Sequence, residues 1–279
     1  MSILQETQSI LDAYKILPKK RLGQNFIVDE DLLHKMISYA EISRDEVILE
    51  VGAGLGFLAK LLSQRCRQVI AVEVDPKLAG LLRERLSRVE NVTIMQGDIL
   101  MLPIPPFDKL VSTPPYSISS PLLFWLLNRN FECAVLTFQT EFAERLVAQP
   151  NSKEYSRLTV ATYYRAEVDL LDHVPIWAFW PPPKVGSRII RLRPKKPPFQ
   201  LKDEKIFFEI LRVLFTQKNR KVKNAIKPFL DGLKLSEKDA DEWLKKLPFT
   251  NKRARELPPE DFGLMANEIV ERLHEKGLL

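Results

Sequence analysis

With 279 residues, 45% of them apolar, the chain exceeds the usual single-domain length and can bury a sizeable core, which sets disorder aside. No apolar run reaches bilayer length, the N-terminus lacks a basic-then-apolar signal, and Cys66 and Cys133 stand far apart in no paired motif; a membrane span, secretion, disulfide scaffolding and a thiolate zinc site are not expected, and a reducing cytoplasm is. The net charge of +6 is uneven: of 42 Lys+Arg and 36 Asp+Glu, 23 and 14 fall in residues 181–279, leaving 19 and 22 for 1–180, so the final third is net +9 and the rest −3, a footprint that suits a polyanionic partner.

Residues 7–15 read as a short helix, 19–26 as a loop and 29–40 as a helix. From 47 to 139, short apolar runs alternate with helical patterns, the signature of a parallel sheet covered by helices. Strands are expected at 47–51, 69–74, 92–95, 109–112 and 133–138, and helices at 57–64, 76–88, 121–130 and 141–148. Pro76 falls near a helix start, where its missing N–H is harmless. Two later strands, 160–170 and 187–192, are β-branched enough to complete the sheet edge. Pro194-Lys195-Lys196-Pro197-Pro198 is extended and reads as a linker. Beyond it the pattern is helical, at 203–215, 219–230, 236–246 and 259–275. The expected architecture is α/β and Rossmann-like over 1–194, with a smaller, all-helical, basic domain over 195–279.

Three strand ends carry candidate chemistry. Leu49-Glu50-Val51-Gly52-Ala53-Gly54-Leu55-Gly56 runs a strand into glycines spaced G-x-G-x-G, not the dinucleotide G-x-G-x-x-G. Glu73, ending the second strand, can accept from both hydroxyls of a ribose, and Asp98, after the third, from an adenine amino group. Each alone also reads as a tight turn or a helix cap. Their order on consecutive strand ends favours a ligand, since open sheets bind ligands outside the carboxyl ends of their strands. No Arg or Lys lies near the glycine turn in sequence to meet a pyrophosphate, and paired carboxylates suit a cation, so a sulfonium nucleoside fits better than a dinucleotide. After the fourth strand comes Ser112-Thr113-Pro114-Pro115-Tyr116. A hydroxyl, prolines that fix their own φ, and an aromatic face suit a site that grips the amino group of an unstacked base.

In these motifs the chain resembles the KsgA-type ribosomal RNA adenine dimethyltransferases, and it does so over nearly its whole length. Lys20-Arg21-Leu22-Gly23-Gln24-Asn25-Phe26 is similar to that family's N-terminal signature, Thr113-Pro114-Pro115-Tyr116-Ser117-Ile118-Ser119 to its Asn-Leu-Pro-Tyr-Asn-Ile-Ser loop, Phe179-Trp180-Pro181-Pro182-Pro183-Lys184-Val185 to a later motif, and Phe215-Thr216-Gln217-Lys218-Asn219-Arg220-Lys221 to its basic helix entry. The resemblance implies a class I methyltransferase sheet using S-adenosylmethionine, held by Gln24, Asn25, Ile27, Gly52, Gly54, Gly56, Glu73, Val74, Asp98, Ile99 and Thr113. It implies dimethylation at N6 of two adjacent adenosines near the 3′ end of small-subunit ribosomal RNA, within an immature subunit, by a monomer that needs no metal.

On that reading Thr113 and the Pro114 carbonyl accept the amino hydrogens, while Tyr116 and Phe179 sandwich the extruded base. Lys19, Lys20, Arg21, Lys184, Arg188, Lys218, Arg220, Lys221 and Lys223 are the expected RNA-backbone contacts, a solvated charged face being the competing reading. His34, His173 and His274 are expected to be structural or exposed. Two positions depart from the family: Thr113 where it has asparagine, and Gly186 where it has aspartate. The first keeps open an RNA-binding assembly factor with weak or no methyltransferase activity, and Ser/Thr-Pro-Pro-Tyr also resembles the loop of enzymes that methylate the cytosine amine. A nicotinamide dehydrogenase on the same sheet is disfavoured by the glycine spacing.

Overall fold

The structure, a computed structural model, describes residues 2–233 and 235–279. The chain divides into two compact units: residues up to Ala143 with Glu167–Pro194, and Glu144–Ala166 with Lys195–Leu279.

In the first unit, α1 (Ile3–Ala13) precedes β1 (Phe26–Ile27), α2 (Glu30–Ala40), β2 (Val47–Val51), α3 (Phe57–Ser63), β3 (Gln68–Glu73), α4 (Pro76–Arg85), β4 (Val92–Gln96), β5 (Lys109–Ser112), α5 (Ser119–Leu127) and β6 (Cys133–Gln139). α6 (Thr140–Leu146) follows directly on β6. After α7 (Arg157–Arg165) come β7 (Ala166–Val174), β8 (Phe179–Trp180) and β9 (Ser187–Pro194). Seven strands form one sheet in the order β4-β3-β2-β5-β6-β9-β7, and β1 pairs separately with β8. The five from β4 to β6 run parallel, and β9 is antiparallel to β6. Every residue of β2 and β5 is buried, the polar Glu50, Lys109 and Ser112 included, because helices cover both faces of a parallel sheet. Strand order reverses between β2 and β5, so the crevice opens at their carboxyl ends.

α1 starts four residues earlier than expected. Ser2 caps it and Gln5 reaches back to the Ser2 N–H at 3.0 Å, a reciprocal cap that Ser-x-x-Gln spells out in sequence.

The second unit is helical: α7, α8 (Glu204–Thr216), α9 (Val222–Ala225), α10 (Lys227–Gly232), α11 (Glu237–Lys246) and α12 (Pro259–Glu275). The helix expected at 219–230 is two, since Pro228 falls where a continuous helix would need its N–H. The strand expected at 160–170 is also corrected. Residues 157–165 are helical despite their β-branched content, because Thr159 caps the helix by accepting from the Ser156 N–H at 3.1 Å and donating to the Arg145 carbonyl at 2.7 Å. Tyr164 packs against Phe199 and Phe207, ring centroids 5.0 and 5.4 Å apart. Burial of this face overrides a weak β propensity, and residues 144–166 thereby belong with the helical unit rather than with the sheet.

Candidate active site

Gly52 and Gly54 take φ of +75° and +57°, left-handed values that strain any residue with a Cβ. Both line a cleft of about 260 Å3 at the carboxyl ends of β2, β3 and β5. A Cβ on Gly52 would lie 3.1 Å from Pro115 Cδ, and one on Gly54 3.2 Å from Phe26 Cδ1. Gly56, expected to touch the cofactor, does not line the cleft; a Cβ there would come within 2.8 Å of Leu82 Cδ2, so it serves the packing of α3 on α4.

Glu73 is buried, its two oxygens accepting from the Gly54 and Asp75 N–H groups, each at 2.9 Å. A further lone pair on each oxygen remains for a ligand. Burial pushes its carboxyl up, partly offset by these bonds. Asp98 is exposed, accepts from the Leu100 N–H at 3.0 Å, and lines the cleft with Val74 and Ile99. Glu50 also lines it, a residue the sequence reading did not assign. Only 3% exposed, it leaves Oε2 without a partner, and burial first, then the neighbouring Glu73 charge, push its carboxyl well above the usual range. The signal was present in sequence: an acidic residue inside the apolar run Val-Ile-Leu-Glu-Val.

The loop before β1 is tied across the end of β3. Lys19 Nζ donates to Asp75 Oδ2 at 2.6 Å, Gln24 Nε2 to the same oxygen at 2.9 Å, and Gln24 Oε1 accepts from the Lys19 N–H at 2.7 Å. Burial alone would raise the Asp75 carboxyl, but the bonds from Lys19, Gln24 and the Lys77 N–H together hold it below its ordinary value. Lys19 is therefore already paired within the protein, and the amide of Gln24 is engaged in the same loop, although Gln24, Asn25 and Ile27 all line the cleft. Arg21 lines it too. A basic side chain that the sequence places away from the glycine turn is thus near it in space, and the argument for a cationic ligand rests on the carboxyl groups of Glu50 and Glu73 instead.

Thr113, Pro114 and Tyr116 line the same cleft. Ser112 Oγ donates to the Val51 carbonyl at 2.5 Å, locking the end of β5 to the end of β2. Pro115 is wedged against two glycines of other segments: a Cβ on Gly23 would fall 3.3 Å from Pro115 Cβ, as one on Gly52 would meet its Cδ. Tyr116 shares a 2.5 Å hydrogen bond with Ser187, a buried residue starting β9. Burial raises its phenol above the usual value, so the ring is neutral and fixed. Nothing in the sequence singled out Ser187. Phe179, 4% exposed, belongs to the core as well as to the cleft, and its backbone pairs with Ile27. His34, His173 and His274 are exposed and line no part of the cleft.

Among the expected RNA contacts, Lys20, Arg21 and Lys184 are exposed on the sheet unit, and Arg220, Lys221 and Lys223 on the helical one. Arg188 is half-buried with Nε on the Leu171 carbonyl at 3.0 Å. Lys218 donates to the carbonyls of Lys153 and Tyr155 at 2.7 and 3.1 Å, tying two segments of the helical unit together. Among the described residues no three His, Cys, Asp or Glu side chains gather as a metal site, and no helix is long and apolar enough to cross a membrane.

A parallel sheet with its glycine turn, acidic strand ends and prolyl-tyrosine loop around one cleft defines a class I methyltransferase dependent on S-adenosylmethionine. Residues 17–269 match the ribosomal RNA adenine dimethylase family, and the chain belongs to it. A probable ribosomal RNA small subunit methyltransferase A from Methanosarcina acetivorans is 42% identical over 95% of this chain and 98% of its own length. The corresponding protein of Thermococcus kodakarensis is 39% identical over 97% and 95%. Among solved structures, a dimethyladenosine transferase from Plasmodium falciparum matches with a TM-score of 0.76 at 29% identity, over 90% of this chain and 98% of that one. The 23S rRNA methyltransferase ErmE matches at 0.63 and 28%, over 88% and 100%. The chain is an S-adenosylmethionine-dependent ribosomal RNA adenine dimethyltransferase.

Proposed function

We propose that the chain methylates the N6 atoms of two adjacent adenosines near the 3′ end of small-subunit ribosomal RNA, acting as a cytoplasmic monomer on an immature subunit. The observation that carries this reading is that Gly54, Glu73, Thr113 and Tyr116 line one cleft. When bound, S-adenosylmethionine supplies a methyl group on a positively charged sulfur. The lining fits such a ligand: two glycines leave the backbone bare, Glu73 keeps lone pairs for a ribose, Asp98 keeps one for an amino group, and the unpartnered Glu50 oxygen favours positive charge. Gln24 acts on it through the loop it holds; Val74 and Ile99 offer apolar walls.

An adenine amino nitrogen is a poor nucleophile because its lone pair is delocalised into the ring. The Thr113 hydroxyl and the Pro114 carbonyl accept its hydrogens and turn the lone pair toward the methyl group. Tyr116, its hydroxyl anchored on Ser187, presents a ring face to the extruded base, with Phe179 as the second aromatic wall. Positioning of this kind supplies about 7–11 kcal/mol of a barrier. The proton leaves after transfer, when the nitrogen is cationic, so no histidine base is needed.

Mass-spectrometric mapping of modified nucleosides in ribosomal RNA, with and without the protein, tests the assignment; absence of dimethyladenosine from both samples after incubation with donor refutes it. Thr113 favours the second reading, an assembly factor with weak activity, because one hydroxyl replaces a two-ended amide. Thr113→Asn should raise the rate if the site is impaired; an unchanged rate removes that reading.

A further inference from the structure

Trp177 is 68% exposed, the most exposed aromatic residue described. A single exposed apolar side chain needs no explanation, but three features set this one apart. Its backbone is clamped: it lies in the one-turn 3-10 helix Ile176–Ala178, where the buried Ala178 donates to the Pro175 carbonyl at 3.1 Å and accepts from the Val28 N–H at 2.8 Å. The backbone that carries the ring is therefore fixed, so only the side-chain torsions remain to be ordered when something stacks on it. Ile176 beside it in sequence is apolar and exposed as well, at 45%, as is Val185, at 47%. Gly186 lies beside Val174, a Cβ on it falling 3.6 Å from the Val174 carbonyl oxygen, and the exposed Lys184 is two residues from Gly186 as Ile176 is two residues from Val174. Finally, Phe179, two residues on, lines the cleft, so chain geometry keeps the two Cα atoms within about 7 Å.

A polynucleotide that delivers a base to the cleft along the edge where Phe179 lies passes within reach of this ring, which can then meet the next base. We infer that Trp177, flanked by Ile176 and Val185, is a stacking platform for the nucleobase adjacent to the target adenine, with Lys184 meeting the phosphate between them. The inference rests on the proposed function and adds a consequence to it: with two adjacent adenosines modified in turn, the platform holds one while the other occupies the cleft.

The test uses the full chain and an RNA oligonucleotide spanning the two adenosines, with 2-aminopurine in place of the nucleotide next to the target. The wild type should quench the probe on binding. Trp177→Ala should abolish the quenching and raise the RNA KM about fivefold or more, with kcat for the first methyl and donor Kd within about twofold, and Trp177→Phe should restore most of the quenching. Wild-type methylation together with unchanged quenching and KM in Trp177→Ala overturns the platform and leaves the enzyme assignment standing. So does a concentration-dependent self-association that Trp177→Ala removes without affecting RNA binding, which would assign the patch to a second copy of the chain. Failure of the wild type to bind or methylate the RNA overturns the proposed function, and the platform with it.

Discussion

Replacing Gly52 by alanine tests whether the glycine turn and the prolyl-tyrosine loop are one mechanical unit. At φ +75° an L-residue costs about 1–2 kcal/mol relative to glycine. The new methyl group would also lie 3.1 Å from Pro115 Cδ, several tenths of an ångström inside the ordinary carbon–carbon contact of about 3.5–4.0 Å. A proline ring cannot rotate away, so the loop carrying Thr113 and Tyr116 must move. The backbone cost lowers Tm by roughly 2–8 °C. Since a 1 Å misplacement costs about 10²-fold in rate, the displacement should lower kcat by about tenfold. Single-turnover incorporation of labelled methyl, with calorimetric titration of the donor alongside, separates chemistry from binding. Pro115→Ala deletes the offending Cδ, so in that background the further change Gly52→Ala should lower kcat by no more than about threefold while keeping its full effect on Tm. Equal kcat losses in both backgrounds would refute the wedge.

Lys19→Met should destabilise the protein by about 1 kcal/mol, a modest amount because the ammonium is a third exposed. Asp75 has a depressed carboxyl in the folded state, so its stabilisation is present above its unfolded value of about 3.9 and fades as pH falls through the folded one. The wild-type-minus-variant Tm difference should therefore persist above about pH 4 and vanish in stronger acid; a difference independent of pH contradicts the pairing. Glu50 behaves in the opposite sense. Its folded value is raised, so stability is fully present below about pH 4.3 and lost as pH rises through the folded value. Glu50→Gln should melt higher than wild type at pH 8, equal it at pH 4, and bind the donor more weakly by calorimetry. Undiminished donor affinity would sink the role given to its unpartnered oxygen. Lys218→Met should lower the Tm of the helical unit and leave the salt dependence of RNA binding alone, whereas Lys221→Ala and Lys223→Ala should each reduce the salt slope by about one without affecting Tm. The reverse pattern would return Lys218 to the RNA surface.

The parallel sheet was legible because its physics is local. Buried strands such as Val47–Val51 read as apolar runs, Asp29 and Asp75 announce the helices that they cap, and glycine spacing states how a turn must bend. The cleft was legible for a related reason: strands of one direction deliver their carboxyl ends to one rim, so Gly52, Glu73, Asp98 and Thr113 meet there whatever the details. The exceptions share a cause. Residues 157–165 carry a strand-like composition, yet a cap and an aromatic pocket built from Phe199 and Phe207 make them a helix.

The sheet, the order of the residues at its strand ends and the prolyl-tyrosine loop could be read from the chain because they are properties of neighbours along it. Which polar groups stay free to act depends on contacts made across the fold. Lys19 and Asp75 are 56 residues apart, and Lys218 and Lys153 are 65 apart; a charge or amide looks identical in sequence whether it faces water or closes a loop. The same holds for the Tyr116–Ser187 bond, the entry of Arg21 into the cleft and the orphaned oxygen of Glu50. Composition and spacing carry a residue's chemistry, but what remains available for a ligand is fixed by the partners that folding brings to it.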